Sequence, residues 1–372
     1  MLLLEYTACF LLAMLVSAAI VPTLIREAHR SGIVDRPGGR RSHLGAIPRL
    51  GGVGIFLGFV AGVGTALLLA GQAQSLGDAT SGFPWAGAGL GATIVFAAGL
   101  LDDVRQFRPR TKFLFQLVGA GVAVTFGVSV DAISLPLGGP VALGAWSPVV
   151  TMAWILVITN AMNLIDGLDG LAGGLALIVT TVMAFVSLAL GHFGAAICAV
   201  GLAGALVGFL RYNLNPARIF MGDGGSQFLG FVLAIISIRG SIKGATAVAL
   251  TMPLFVLGVP LLDLATTILR RAFRRHESEH AGRSLLKRIS RADREHLHHN
   301  LVDMGLSPRR AVLALYLLAS IFALSGYLSL ARNSLPLAGL LLVLCVGSVA
   351  IIKFAFASTP RTEPLARRPE DA

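Results

Sequence analysis

The sequence predicts an all-α fold, a polytopic bundle of about eleven transmembrane helices. The 372 residues are 55% hydrophobic and only 13% charged, and their mean hydropathy is +0.79. A water-soluble chain of this length carries about a quarter charged residues. The apolar residues are also gathered into runs of about 20 residues, which is the length that crosses a bilayer as a helix. Most of the chain is therefore expected to lie in a membrane.

Eleven apolar runs follow one another along the chain, separated by polar segments. We expect spans at 4–24, 50–70, 85–101, 113–130, 148–164, 171–190, 193–211, 226–238, 245–269, 311–330 and 335–357. Residues 1–357 then form one integral membrane domain. The segment 358–372 is rich in Pro and Arg and is expected to be a disordered tail.

The net charge of +11 raises the question of nucleic-acid binding, but its distribution points to a membrane. All Lys and Arg residues except Arg239, Lys243 and Arg332 fall in or beside loops on one side of the predicted topology. Such a bias marks the cytoplasmic side. We therefore expect a multi-pass protein of the bacterial inner membrane that does not bind nucleic acid, with the N-terminus outside and the C-terminus in the cytoplasm. The cytoplasmic loops are 25–49, 102–112, 160–170, 212–225 and 270–310.

Two smaller features fit this organisation. In the outer loop 131–147, an alternating stretch from Ile133 to Leu143 is interrupted at Gly138-Gly139-Pro140, which predicts a small hairpin. All three cysteines fall inside spans and read as buried apolar residues rather than as disulfides or metal ligands. These are Cys9, Cys198 and Cys345.

Residues 160–174 carry the most informative pattern in the chain. Asn160, Asn163, Asp166 and Asp169 recur every three residues and are accompanied by several glycines. On a helix or a tight helical turn, this spacing places the four groups on one face. The plain alternative is helix capping, but capping needs one such residue. Carboxylates at a membrane edge are costly unless they meet a cation, water or a polar ligand, so the pattern favours a functional site.

Two further acidic motifs fall on the same predicted side. Asp102-Asp103 ends one apolar run, and Asp223 lies between glycines where another run begins. Paired carboxylates bind a divalent cation, or one of them acts as a base with a raised pKa. The free amides of a helix N-terminus suit phosphate, as do the cations that follow Asp103. Those cations are Arg105, Arg108, Arg110 and Lys112. The alternatives are a solvated loop for the first motif and an N-capped glycine turn for the second.

Three other features are weaker. His296, His298 and His299 suggest zinc, but no cysteine is near, and neighbouring arginines favour a phosphate or sugar contact; an exposed polar helix face is the alternative. The loop from Asp35 to Gly52 contains Arg49, and taken alone it is better interpreted as positive-inside charge before a helix than as a functional site. Asp263 lies deep in a span, where it either has a function or pairs with a nearby arginine.

In combination, these motifs resemble the polyprenyl-phosphate N-acetylhexosamine-1-phosphate transferases, the superfamily of MraY, WecA and TagO. The resemblance covers about residues 30–310. Its motifs are Arg49–Gly52, Asp102–Lys112, Asn160–Gly174, Gly222–Ser226 and His296–His299 followed by Gly305. The eleven spans and the His-x-His-His form are more similar to the WecA/TagO branch than to MraY. Two residues depart from the family pattern: Asn300, where a basic residue is expected, and Gln227, where an apolar residue is expected.

The resemblance implies attack by undecaprenyl or another polyprenyl phosphate on the β-phosphate of a UDP-N-acetylhexosamine. The products would be UMP and a polyprenyl-diphospho-sugar that begins a cell-wall or O-antigen lipopolysaccharide polymer. It implies Mg²⁺, or Mn²⁺, held by Asp223 and Asn163. Asp102 or Asp103 would orient or deprotonate the lipid phosphate, and Lys112 would contact phosphate. The substrate-binding residues would be Arg49, Asn160, Asp166, Asp169, His296, His298 and His299.

The different-class alternative is a membrane transporter with an anion or nucleotide site on the cytoplasmic side. Transporters place polar groups near the bilayer midplane and are commonly built from inverted repeats. No repeat is apparent here, and all the polar clusters except Asp263 lie at one interface. Membrane lipid is an expected partner, and a homodimer is left open.

Overall fold

The computed structural model of the protein describes residues 2–35, 45–72, 82–135, 139–241, 257–273, 297–332 and 334–358. Twelve α-helices account for most of the described residues, and eleven of them are long. They are α1 Leu2–Ser31, α2 Gly51–Gln72, α3 Trp85–Arg105, α4 Pro109–Thr125, α5 Ser147–Ile165, α6 Leu171–Ala189, α7 Phe193–Asn213, α8 Gly222–Ser241, α9 Gly258–Phe273, α10 Leu297–Asp303, α11 Pro308–Arg332 and α12 Leu335–Ser358.

The predicted all-α membrane bundle is confirmed, whereas the count of eleven spans stays a prediction. Seven helices in the described part of the chain are long and apolar enough to cross a membrane. They correspond to α1, α2, α3, α5, α6, α7 and α11. The remaining predicted spans overlap in sequence with α4, α8, α9 and α12, of which α4 and α9 have 17 and 16 described residues. Residues 245–256 of the predicted span 245–269 lie outside the described residues.

Strands are confined, within the described ranges, to two short antiparallel hairpins. The predicted hairpin of the 131–147 loop is confirmed, with β3 Ala132–Leu135 paired to β4 Gly139–Ala142. A second pair was not predicted: β1 Val34–Asp35 lies against β2 Ile47–Pro48. Through this second hairpin, the segment before α2 contacts α1. The three cysteines are buried and free, as expected.

Helix α8 is the central element of the bundle. It packs against α2, α3, α5, α6 and α7, and every residue from Gly224 to Ile238 is buried. The sequence explains this position, because no charged residue lies between Asp223 and Arg239. A helix that is apolar all round has no polar face to offer to solvent and is buried on all sides. The first turn of α8 is thereby placed among the ends of its neighbours.

Local sequence determines where the helices around α8 begin and end. Helix α3 ends with Gln106 in the left-handed conformation, at φ 52°. Helix α4 begins at Pro109, whose missing N–H costs nothing in the first turn of a helix, and Arg108 before it is extended. Helix α5 ends at Ile165, and Gly170, at φ 76°, precedes α6. These four boundaries lie beside the acidic motifs.

Candidate active site

Asp102 lies in the last turn of α3 and is only 4% exposed. Its backbone carbonyl accepts the Gln106 N–H at 2.8 Å, which closes the helix. One carboxylate oxygen accepts the backbone N–H of Phe107, and the other contacts the ammonium group of Lys112. The side chain is thus held at the exit of the helix and faces the first turn of α4.

Asp103 has a different environment from its neighbour. Its two carboxylate oxygens accept the backbone N–H groups of Asp223 and Gly224, at 2.8 and 3.0 Å. These are free amides of the first turn of α8, where a negative charge is favourable. Gly222 has φ +70°, and a Cβ added there would lie 2.5 Å from the Asp103 carboxylate. The glycine therefore permits the close approach, and Asp103 fastens α8 to α3.

Lys112 joins the two acidic motifs that lie far apart in sequence. Its ammonium group contacts the carboxylates of both Asp102 and Asp223. The Lys112 and Asp223 side chains are 28% and 30% exposed, so the ion pair is accessible from the helix ends. A cation shared by two carboxylates marks the place where their negative potentials overlap.

Asn163 lies in the last turn of α5, next to the first turn of α8. Its carboxamide oxygen accepts a hydrogen bond from the Ser226 hydroxyl at 2.6 Å. The same hydroxyl lies 3.5 Å from the backbone carbonyl oxygen of Asp223. Ser226 therefore links Asn163 to the segment that carries Asp223. The sequence pattern had not singled out the Ser226 side chain, although its place in the Gly222–Ser226 motif was a usable signal.

Asp166 follows the end of α5 and faces the other carboxylates. Burial raises the pKa of the Asp166 carboxyl to about 8, and the negative charges of Asp223 and Asp103 raise it as well, while Arg49 acts in the opposite direction. We call Asp102, Asp103, Asp166 and Asp223 the carboxylate cluster. Burial and the neighbouring negative charges thus both favour the protonated form of Asp166.

Asp169 does not share the position of Asp166. One of its carboxylate oxygens accepts the Asn215 side-chain amide at 2.8 Å and the Ala217 backbone N–H at 3.0 Å. The expectation of four polar groups on one helical face is therefore met only in part. Helix α5 ends at Ile165, and the turn through Gly170 rotates Asp169 towards the loop before α8. Glycine-rich sequence at 167–170 ends the helix and its regular repeat.

Asn160 lies one turn deeper along α5 than Asn163. Its amide nitrogen donates to the Gln116 side-chain oxygen at 2.8 Å and to the Leu156 carbonyl at 2.7 Å. Gln116 in turn donates to Gln227 at 3.0 Å. In this structure Asn160 is thus bonded inside the bundle, and Gln227, the departure from the family pattern, takes part in the same contacts. The role of Gln116 had no signal beyond its spacing of four from Lys112.

Arg49 is brought to the cluster by the unpredicted hairpin. Its guanidinium contacts Asp35 at 3.3 Å and acts electrostatically on Asp166. The hairpin is fixed to the loop before α8, because the Phe220 N–H donates to the Pro48 carbonyl at 2.8 Å and the Gly51 N–H donates to the Phe220 carbonyl at 2.9 Å. From the sequence, this segment was interpreted as positive charge before a helix. In the fold, the charge of Arg49 also acts on the carboxylate cluster.

The histidine motif is only partly within the described residues. His296 lies outside them. The backbones of His298 and His299 are described and belong to the short helix α10. That helix is fastened to α9, since the buried carboxylate of Asp263 accepts the Leu297 N–H at 2.8 Å. Asp263 therefore anchors the helix that carries two of the histidines. The substrate-binding assignment of the three histidines stays a prediction.

The donor set of the cluster is suited to a hard cation. Carboxylate and carboxamide oxygens are the ligands that Mg²⁺ prefers, and Mg²⁺ keeps several waters and uses only one or two protein carboxylates. Among the described residues, there is no group of three or more His, Cys, Asp or Glu side chains arranged as a complete metal cage. Asp223 and Asn163 have oxygen donors of the type that such an ion takes, and Ser226 links the Asn163 carboxamide to the backbone of Asp223.

Comparison with known proteins identifies the family. The sequence model of glycosyl transferase family 4 matches residues 85–241. The probable undecaprenyl-phosphate N-acetylglucosaminyl 1-phosphate transferase of Bacillus subtilis is 38% identical over 318 residues, which cover 85% of this chain and 83% of that protein. The decaprenyl-phosphate N-acetylglucosaminephosphotransferase of Mycobacterium tuberculosis is 37% identical over 371 residues, covering 92% of this chain and 85% of that protein.

The MraY branch is also represented, at lower identity. The phospho-N-acetylmuramoyl-pentapeptide-transferase of Clostridium kluyveri is 31% identical over 339 residues, covering 86% of this chain and 96% of that protein. The predicted superfamily and its WecA/TagO-like branch are therefore confirmed. The transporter alternative receives no support, because these relatives are transferases.

Proposed function

Since this chain belongs to glycosyl transferase family 4, we propose that it transfers N-acetylglucosamine-1-phosphate from UDP-N-acetylglucosamine to undecaprenyl or another polyprenyl phosphate. The products are UMP and a polyprenyl-diphospho-N-acetylglucosamine that begins an envelope polysaccharide. One observation carries the assignment: the carboxylate cluster and the Lys112 cation lie together at the ends of apolar helices. A charged donor and a lipid acceptor both have access to such a position.

The chain's own residues must overcome repulsion between two phosphate groups. Lys112 and Arg49 provide positive charge for the diphosphate of the donor and the phosphate of the acceptor. Asp102 is the member of the acidic pair that contacts Lys112, so we assign it to orienting or deprotonating the lipid phosphate. Asp103 has both oxygens on backbone amides, and we assign it to holding α8 in place. Asp166 is assigned to the nucleotide side of the site.

Asp223 and Asn163 are proposed to hold Mg²⁺, with Mn²⁺ as an alternative. A bound divalent cation would neutralise charge on the donor diphosphate and so reduce the repulsion that the acceptor phosphate meets. The support is the set of oxygen donors and the presence of four carboxylates in one cluster, whose negative charges act together with burial to raise the pKa of Asp166 to about 8. Asp223 reaches this position because α8 begins at Gly222.

We also propose that the cluster faces the cytoplasm, where sugar nucleotides are made. The basic loops support this orientation. Met304 is 38% exposed and lies just after α10, so a Met304→Cys variant in a background without Cys9, Cys198 and Cys345 reports the side. A membrane-impermeant thiol reagent is expected to label it only in inverted vesicles. Labelling from outside intact cells would contradict the proposed topology.

The activity is tested with the purified chain, undecaprenyl phosphate and a panel of UDP-N-acetylhexosamines. UMP release and a radiolabelled lipid-linked sugar are expected with UDP-N-acetylglucosamine, and much less with the other sugars. The Asp223→Asn variant serves as the matched control, since it changes one charge and keeps the shape of the side chain. Absence of UMP release with every sugar, from a preparation that remains folded, would refute the proposed function.

A further inference from the structure

Directly beneath the carboxylate cluster, three amide side chains form a hydrogen-bonded layer between helices. We call Gln116, Asn160 and Gln227 the amide tier. Asn160 on α5 donates to Gln116 on α4 at 2.8 Å, and Gln116 donates to Gln227 on α8 at 3.0 Å. Gln116 and Gln227 are 3% and 2% exposed. Because water is excluded, these bonds have strong directional preference in a medium of low dielectric constant.

Each member of the tier lies one helical turn below a residue of the candidate site. Gln116 follows Lys112 by four residues, and Gln227 follows Asp223 by four. Residues that far apart share one face of a helix. A rotation of α4 or α8 about its axis would therefore move the tier residue and the site residue together.

Asn160 completes the same arrangement on α5, because it precedes Asn163 by three residues. All three helices thus carry one residue of the site and, a turn deeper, one residue of the tier. The tier connects the helices in one direction, from α5 through α4 to α8. It fixes the rotation of each helix relative to the next one.

Stability does not account for the tier. Within the described part of the chain, the Gln227 amide nitrogen has no hydrogen-bond partner although it is buried, and an unmet buried donor is destabilising. Polar bonds between helices in membranes also contribute little net stability. Apolar residues at both Gln116 and Gln227 would remove the unmet donor without leaving the Gln116 amide unpaired. The two glutamines are therefore better explained by a requirement for orientation, the use that buried polar residues have in setting helix register.

We propose that the amide tier positions Lys112, Asn163 and Asp223 by fixing the rotation of α4, α5 and α8. Gln116 and Gln227 are then positioning residues, which act through the site residues one turn above them. This inference rests on the proposed function for the identity of the reaction. It adds that the geometry of the site depends on hydrogen bonds between side chains one turn deeper in the bundle.

Gln116→Leu tests the proposal, because it removes both bonds of the tier. We expect kcat to fall by about 10-fold to 100-fold, since a misplacement of about 1 Å at a reacting group has an effect of that size. KM for UDP-N-acetylglucosamine is expected to stay within about twofold, because the remaining nucleotide contacts are unchanged. In a Lys112→Gln background the same substitution is expected to lower kcat by a smaller factor, since one of the three site residues through which it acts is already gone.

The matched control is another hydrogen bond between α5 and α8. Trp154 donates to the Ser237 hydroxyl at 2.8 Å, farther along both helices from the site. Ser237→Ala removes this bond and is expected to leave kcat unchanged. Gln227→Leu, which breaks only one bond of the tier, gives a second variant should Gln116→Leu fail to fold. The apparent melting temperature in detergent is measured for every variant.

The outcomes separate the two proposals. If the unaltered chain releases no UMP, the proposed function is wrong. If the unaltered chain is active but both tier variants match Ser237→Ala, only the positioning role is overturned. Equal losses with and without Lys112, or failure of every tier variant to fold, would also overturn it, because either result indicates a purely structural layer.

Discussion

The chain has two pairs of aspartates at helix ends, Asp102 with Asp103 and Asp166 with Asp169. Within each pair, the two members make different contacts. Asp103 and Asp169 bind backbone amides of other segments, the first turn of α8 and the loop before it. Asp102 instead contacts the Lys112 ammonium, and Asp166 faces the charges of the cluster. One member of each pair joins separate segments of the fold through backbone amides, and the other faces the charged groups of the cluster.

The difference shows that neighbouring carboxylates of a dense acidic motif have different structural roles. Half of its carboxylates act as caps that bring distant segments together, which a neutral hydrogen-bond acceptor could do in part. The other half face the charged groups of the cluster: Asp102 contacts the Lys112 ammonium besides accepting the Phe107 N–H, and Asp166 meets the negative charges of Asp223 and Asp103. Substitutions at the two kinds of aspartate should therefore have different effects on activity and on stability, and the following experiments test that division.

Removal of divalent cations should have the largest effect. Exhaustive EDTA treatment is expected to abolish UMP release, and Mg²⁺ is expected to restore it, because two phosphate groups must approach each other among four carboxylates. Titration of Mg²⁺ or Mn²⁺ into the treated protein measures the recovery. Full turnover after EDTA treatment would contradict a role for a divalent cation at the carboxylate cluster.

Asp223→Asn should come next. We expect the rate of UMP release to fall on the order of 10³-fold, because loss of one charge at a metal-ligating position costs several kcal/mol of transition-state stabilisation. The variant should still purify with an unchanged melting temperature, since its backbone N–H to Asp103 remains. A rate within tenfold of the unaltered chain would exclude Asp223 as a ligand.

Substitutions at Asp102 and Asp103 test directly whether the two members of a pair have different roles. Asp102→Asn is expected to lower kcat by about 10²-fold, the contribution of a positioned acid or base, with little change in melting temperature. Asp103→Asn is expected to weaken the cap of α8, a destabilisation of about 1–2 kcal/mol, and to lower activity less than Asp102→Asn. The reverse order of effects would show that the roles have been assigned to the wrong members.

Substitutions at Asp166 and Asp169 should have the smallest effects, and the two substitutions should again affect different quantities. Asp166→Asn is expected to raise KM for UDP-N-acetylglucosamine by about tenfold, the size of about 1.4 kcal/mol of lost binding. Asp169→Asn keeps one side-chain oxygen for the Ala217 N–H and should mainly lower the melting temperature. Steady-state kinetics and thermal unfolding of both variants provide the check; similar KM values for the two variants would abolish the distinction.

Much of the site could be predicted from the sequence. Asp102, Lys112, Asn163 and Asp223 were all identified as candidates, and the structure brings them together around the first turn of α8. Local spacing was sufficient because each lies at the end of an apolar run, where a helix must leave the membrane. The spacing did not predict which member of each aspartate pair binds the backbone amides of another segment, since both members have the same chemistry and nearly the same sequence position.

The sequence by itself determined the membrane helices, the acidic helix ends and the family, because hydrophobic length and motif chemistry are local properties of the chain. The tertiary structure alone decided that Asp169 leaves the helical face, that Arg49 reaches the cluster through a hairpin, and that Gln116 and Gln227 meet below it. These facts depend on the rotation of one helix against another and on which backbone donors remain free at its end. Such relations form only when distant segments pack, and no local pattern encodes them.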